Sequence, residues 1–355
     1  MTKIIPIQQI HKFNKKQLQG FMCPDPFNGI SISSNGDIGM CSCAMWHPTV
    51  IGNILNNTLE EMLNSELAQD IRQSVRNGTY EYCDETKCGI IINNKLLHES
   101  ELSDTYLRQY KDSTVIDFPR YFYIAGDKIC NLSCPSCRTR VISLDDYSQN
   151  KNKNVMSLLN QQVFSESSSE VVSIYVSSEG EMMASPLTLK FLEEFPLDRY
   201  PKAEFWFQSN GLLIKSRWNR ISHLANNIFK LSVTADSCNK TTYEKLRRGG
   251  TFENLIENLD FITELRKTYN FQLSIRMVVQ SENMHEIEDF YTFAMKYNCT
   301  EVEYMRIQDW STYLQKDFNS IDVLNPNHES YPDLVQRFSG LKTQYKNIIF
   351  YHFNL

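Results

Sequence analysis

The chain has 355 residues, 41% hydrophobic and 22% charged, with a formal net charge of -6. That length accommodates roughly two domains of about 150 residues, each with its own core, so size does not demand disulfides. An acidic balance lacks the basic footprint of a nucleic-acid binder. The opening MTKIIPIQQIHKFNKKQLQG has no apolar run long enough for a signal-peptide core or a membrane span, so a cytoplasmic protein without a membrane partner is expected.

Ten cysteines in a reducing compartment point to metal ligands or catalytic groups rather than to disulfides. Cys23, Cys41, Cys43, Cys83 and Cys88 form an N-terminal group. Within it, Gly29–Ser33 and Asp37–Ser42 read as two short strands around the turn Ser34-Asn35-Gly36. Thr58 and Glu61 make a capping box, opening a long helix with an apolar stripe of Leu59, Met62, Leu63, Leu67, Ile71 and Val75. This is a small α+β unit.

Farther on, the pattern alternates. Strands are expected at Arg120–Ala125, Val171–Val176, Ala203–Gln208, Ile228–Thr234, Phe271–Val279 and Glu301–Ile307. Helices are expected at Leu187–Phe195, Leu212–Ala225, Phe252–Thr268 and Met284–Tyr297, from apolar residues at three- and four-residue spacing. Ser148–Asn154 and Ser165–Glu170 read as loops. Strands joined by helical crossovers pair in parallel, which predicts a six-strand α/β sheet, either open and doubly wound or a partial barrel. In both, the site lies at the C-terminal ends of the strands. KICNLSCPSCR, Lys128–Arg138, follows the first of them directly.

That loop carries Cys130, Cys134 and Cys137 without a neighbouring histidine. Three thiolates bind three corners of a cubane iron–sulfur cluster and leave one iron open to an exogenous ligand. A structural metal clip is the competing reading. Here the sequence resembles the radical S-adenosylmethionine enzymes, through C-x3-C-x2-C after the first strand and through further motifs in order. SSEGEMMASP, Ser177–Pro186, resembles their glycine-and-acid motif. QSNG, Gln208–Gly211, resembles their Thr-Asn-Gly turn, and SVTAD, Ser232–Asp236, their serine and acid. RRGG, Arg247–Gly250, also fits.

The resemblance covers about residues 118–310 and implies a partial (β/α)6 TIM-like barrel. It implies that Cys130, Cys134 and Cys137 hold a [4Fe–4S] cluster, and that Ser178, Gly180, Glu181, Asn210, Ser232, Asp236 and Arg247 bind S-adenosylmethionine. One electron then cleaves the cofactor, and the 5′-deoxyadenosyl radical abstracts a hydrogen atom from substrate. A flavodoxin or ferredoxin is the implied electron donor. One departure is Ser136, where the family usually has an aromatic residue; Tyr121 or Tyr123 is the expected substitute.

The N-terminal group resembles the first half of a SPASM or twitch extension, with IGNI, TLEEMLNS and DIRQSVRNG between the ligands. On spacing alone, four thiolates suit a closed zinc site equally well. The resemblance implies one auxiliary [4Fe–4S] cluster on Cys23, Cys41, Cys83 and Cys88, with Cys43 as the alternate to Cys41. In most relatives this module follows the barrel, whereas here it precedes it. The expected division is residues 1–112 for the SPASM-like module, 113–312 for the radical core and 313–355 for a C-terminal extension.

For catalysis, Cys238 lies just past the fourth strand, where its thiol could return a hydrogen atom to a substrate radical; an incidental packing thiol is the plainer alternative. Arg306, at the end of the sixth strand, could hold a carboxylate or form an ordinary salt bridge. His47 and His98 are expected at the surface. The implied reaction is either oxidation or cross-linking of a peptide or protein, or dehydrogenation or epimerisation of a sugar-like molecule. A non-catalytic electron-transfer or metal-binding protein would not need the motifs at Ser178–Glu181 and Ser232–Asp236.

Overall fold

The computed structural model describes residues 18–44, 46–85, 87–92, 94–102, 118–143, 151–164, 172–177 and 179–351. They divide into two compact units. The first draws on Met1–Asp127, Gln149–Glu179 and Lys190–Glu204, and the second on Lys128–Ser148, Gly180–Leu189 and Phe205–Leu355.

In the first unit, β1 (Phe21–Met22) and β5 (Leu97–His98) form a small antiparallel pair. A larger sheet contains β2 (Gly29–Ile32), β3 (Asp37–Gly39), β4 (Val50–Asn53), β6 (Tyr121–Ile124) and β7 (Val172–Val176). β2, β3 and β4 make an antiparallel meander, while β2 lies parallel to β6 and β6 parallel to β7. The cysteine-rich segment therefore shares backbone hydrogen bonds with the first strand of the α/β pattern, β6. The turn before β3 needs Gly36, whose φ of +88° is left-handed and whose added Cβ would come within 3.0 Å of Val155 and Asn53.

The Thr58 capping box forms as expected, but the long helix is two. It runs Leu59–Leu63 and then Glu66–Arg76, because Ser65 adopts extended backbone and accepts the Ala68 amide as a second N-cap. Met62, Leu63, Ile71 and Val75 of the predicted stripe are buried. Met22, Phe27, Val75, Tyr80 and Leu96 form a cluster against which Cys23, Cys83, Ile90 and Ile91 pack. Each such side chain contributes about 1.5–3 kcal/mol when fully buried. Ser165–Glu170 lies outside the described residues. Part of the other expected loop is helical instead, since Lys151–Leu158 is a helix whose Val155, Met156 and Leu159 register is buried.

In the second unit, β8 (Ala203–Ser209), β9 (Ile228–Thr234), β10 (Gln272–Val279), β11 (Glu301–Arg306) and β12 (Ile348–Tyr351) pair in that order, all parallel. The α/β class and parallel pairing are as expected. β12 is an additional strand, hidden in a segment read as a tail, and is delivered by a helix at Tyr331–Gln344. Leu212–Ala225 is a second correction: only Ile214–Arg217 is α-helical and short 3-10 turns fill the rest. Helices Phe252–Leu265 and Ile287–Met295 bury Leu255, Leu259, Ile262, Ile287 and Phe290, and one face of the sheet buries Leu231, Val233, Leu273, Ile275 and Met277. The opposite face is polar.

Candidate iron–sulfur and cofactor site

The loop at Lys128–Arg138 is held by its backbone on several sides. Cys130 forms an isolated bridge to Ile142. The Ile129 carbonyl accepts the Glu181 amide at 2.7 Å, and the Arg248 carbonyl accepts the Ser133 amide at 2.9 Å. Asn210 donates through Nδ2 to Asn131 Oδ1 at 2.9 Å. A tight turn follows, in which the Cys137 and Arg138 amides both donate to the Cys134 carbonyl. This turn sets the three-residue spacing of the last two thiols.

All three cysteines are free thiols, and each sulfur accepts an N–H. Leu132 N–H reaches Cys130 Sγ at 3.4 Å, Arg247 Nη1 reaches Cys134 Sγ at 3.6 Å and Arg138 Nη2 reaches Cys137 Sγ at 3.5 Å. Burial pushes the Cys130 thiol up to about 11, against the Leu132 amide and Arg138. Binding a metal centre must therefore expel that proton. Among the described residues no three His, Cys, Asp or Glu side chains are gathered as a metal site; the fit is one of donor chemistry, soft thiolates with an N–H donor at every sulfur, as an iron–sulfur cluster requires.

Glu181 is fully enclosed, and both of its oxygens are engaged. Oε1 accepts Met183 N–H at 3.1 Å and Ser209 Oγ at 2.7 Å, while Oε2 accepts Asn210 N–H at 2.6 Å. Burial raises its carboxyl, opposed by those three donors and by Arg247. Glu181 thus braces the turn after β8 against the bend containing Gly180. That turn needs Gly211, at φ +81°, because a Cβ there would meet Val233 at 2.7 Å.

Asp236 is left-handed at φ +65°, held by Val278 N–H to its Oδ1 at 2.7 Å and by Asn283 to its carbonyl at 2.7 Å. Its Oδ2 lies 2.9 Å from Arg247 Nε, and Arg247 Nη2 also donates to the Thr234 carbonyl at 2.8 Å. Burial lowers the Arg247 guanidinium, but Asp236 and then Cys134 outweigh it and hold the charge. Ser232 hydrogen-bonds Ser274 and Glu303 on the polar sheet face. Ser178 lies outside the described residues.

The polar face also buries Lys230, Arg276 and Glu303. Glu303 pairs with Lys230 at 2.8 Å and with Arg276 at 2.6 Å, and Glu301 pairs with Lys230. Burial alone would raise Glu303; Arg276 and Lys230 overcome it and hold the carboxyl at about 2. This ionic network on one sheet face was not read from the sequence.

Cys238 and Arg306 are both engaged within the protein. The Cys238 thiol and amide donate to Glu286 Oε2 at 3.3 and 2.9 Å, beside the Ser237 hydroxyl at 2.6 Å. Burial, then Glu286, push this thiol up to about 12, so it is neutral. Arg306 forms a two-point pair with buried Asp322, at 2.9 Å through Nε and 2.6 Å through Nη2.

In the first unit, Cys23 feels Cys83 and Cys88, and Cys41 feels Cys23 and Cys83. Burial, then the Asp25 carboxylate, push the Cys23 and Cys41 thiols well up. Cys43 instead offers its backbone N–H to Cys41. Tyr123 stacks on Tyr175 at 4.7 Å and lies near Asp25 and Cys41. His98 pairs with Ser100, whereas His47 is buried against Tyr82 rather than at the surface, a correction.

Residues 23–89 match SPASM, an iron–sulfur cluster-binding domain. The match contains all five N-terminal cysteines and supports an auxiliary iron–sulfur cluster there. No curated protein matches the chain. Among solved structures, the chain is similar to SuiB of Streptococcus suis bound to S-adenosylmethionine, at 16% identity and TM-score 0.41, covering 70% of this chain and 53% of that one. It thus spans about half of SuiB's length. It is also similar to anSMEcpe with bound AdoMet and Kp18Cys peptide, at 18% identity and TM-score 0.42, over 64% of this chain and 61% of that one. The radical S-adenosylmethionine methyltransferase TsrM of Kitasatospora setae matches at 13% identity and TM-score 0.32, over 51% of this chain and 36% of that one.

Proposed function

We propose that the protein is a radical S-adenosylmethionine enzyme with one auxiliary [4Fe–4S] cluster. The observation that carries this is the braced loop with Cys130, Cys134 and Cys137, three free thiols that each accept an N–H. When bound, the cluster and S-adenosylmethionine supply one-electron reductive cleavage and hydrogen-atom abstraction from a substrate C–H bond.

The protein's own residues orient and enclose that chemistry. Cys130, Cys134 and Cys137 would hold the cluster as its thiolate ligands. Asn210, Ser232 and Gly180 lie on the segments around the loop and are assigned to the cofactor. Glu181, Asp236 and Arg247 serve it by position, since their carboxylate and guanidinium groups tie the neighbouring turns together. Cys23, Cys41, Cys83 and Cys88 would hold the auxiliary cluster. The neutral Cys238 thiol is assigned as a hydrogen donor, and Arg306 as a brace through Asp322.

The buried polar face of β9, β10 and β11 favours a polar substrate, a peptide or a sugar-like molecule. The enzyme is assigned as an oxidoreductase or maturase of the cytoplasm. The electron donor is a flavodoxin or ferredoxin. Anaerobic reconstitution with iron and sulfide, then dithionite reduction with S-adenosylmethionine, is expected to give 5′-deoxyadenosine. A reconstituted protein that binds iron but never forms it would be an electron carrier instead.

A further inference from the structure

Arg247 touches a thiol of the proposed cluster loop and is held there by a backbone carbonyl and by its ion pair with Asp236. Its Nη1 donates to Cys134 Sγ at 3.6 Å, its Nη2 to the Thr234 carbonyl at 2.8 Å, and its Nε faces Asp236 at 2.9 Å. Asp236 is itself immobilised by Val278 and Asn283. The Arg247 side chain is only 11% exposed, and that of Asp236 only 5%. A long cationic side chain has thus been ordered in a desolvated place, aimed at one sulfur. Arg138, the other guanidinium at a thiol of this loop, stands on the more open Cys137 side.

We propose that Arg247, locked by Asp236, sets the reduction potential of the cluster held by Cys130, Cys134 and Cys137. This inference rests on the function proposed above. Reduction adds one electron, drawn from a flavodoxin or ferredoxin, to a centre that is already anionic. A positive charge and an N–H···S hydrogen bond at Cys134 stabilise the reduced state more than the oxidised one. The low local dielectric makes the buried Arg247 worth more than the open Arg138. Asp236 has a second effect of opposite sign, because its carboxylate partly cancels the Arg247 charge. Arg247 is therefore a positioning residue for the electron rather than a group that touches substrate.

The test is a potentiometric titration of the reconstituted full chain, following the electron paramagnetic resonance signal that S-adenosylmethionine perturbs, with iron counted in each sample. Arg247→Gln is expected to lower the fraction reduced at a given potential about tenfold, a shift of about 59 mV for a one-electron couple. Arg247→Lys keeps the charge and is expected to shift less. Asp236→Asn, which tolerates the left-handed backbone, is expected to shift the potential upward. Opposite signs at Asp236 and Arg247 are what a merely structural pair would not give. An unchanged potential in Arg247→Gln, shifts of one sign in Arg247→Gln and Asp236→Asn, or loss of iron from both Arg247 variants would overturn the inference. A wild-type protein with no signal responding to S-adenosylmethionine would instead defeat the functional reading.

Discussion

The two cysteine groups are built from opposite electrostatics. At Cys23 and Cys41 the charge felt most strongly is the Asp25 carboxylate, and Cys23 packs against the apolar cluster of Met22, Phe27, Val75, Tyr80 and Leu96. At Cys134 and Cys137 the neighbours are the guanidinium groups of Arg247 and Arg138. Thiolates beside a carboxylate carry a more negative centre that is harder to reduce, and thiolates beside arginines carry one that accepts an electron more readily. On the proposed function, the difference separates an auxiliary centre from one on a braced loop that receives an electron.

This contrast breaks most visibly at the ligands. Cys41→Ala is expected to lose about four of about eight irons per reconstituted chain, while Cys43→Ala keeps them. Equal losses, measured as iron per chain, would move the ligand assignment to Cys43 or to both. Asp25→Asn sharpens the comparison without removing a ligand. It is expected to raise the auxiliary potential, the reverse of Arg247→Gln at the loop, and redox titration of the two signals reads both signs.

A third probe addresses the polar face of the second unit. Glu303 is depressed from 4.5 to about 2 by Arg276 and Lys230, so it adds stability above its ordinary value that is lost as pH falls toward about 2. Chemical unfolding of Glu303→Gln is expected to show a loss of about 3 kcal/mol at neutral pH. The gap to wild type should close between about pH 4.5 and pH 2; a constant gap would assign the effect to packing. Smallest is Thr58→Ala, expected to cost about 1 kcal/mol by thermal unfolding, since it removes one half of the capping box in the first unit.

Much of this was legible in the sequence because it is local. Cysteine spacing, the Gly36 turn, the Thr58 cap and the strand at Ile228–Thr234 depend on residues close together in the chain. The broken helix at Ser65 was also local, but the apolar stripe running through it masked the second cap. β12 was missed because IIFY is short and follows a polar stretch; only its register with Val302–Met305 makes it a strand. The Arg247–Cys134, Glu181–Asn210, Arg306–Asp322 and Cys238–Glu286 contacts each join residues 16 to 113 apart in the chain. No spacing rule announces an Arg–Cys contact of that separation.

One paired measurement most directly tests whether the loop at Lys128–Arg138 holds the catalytic cluster. Reconstituted wild type and Cys130→Ala are reduced side by side with S-adenosylmethionine, and 5′-deoxyadenosine is quantified. Product from wild type, with none above background from Cys130→Ala despite a retained auxiliary cluster, is the predicted result. Equal yields from the two proteins would contradict it.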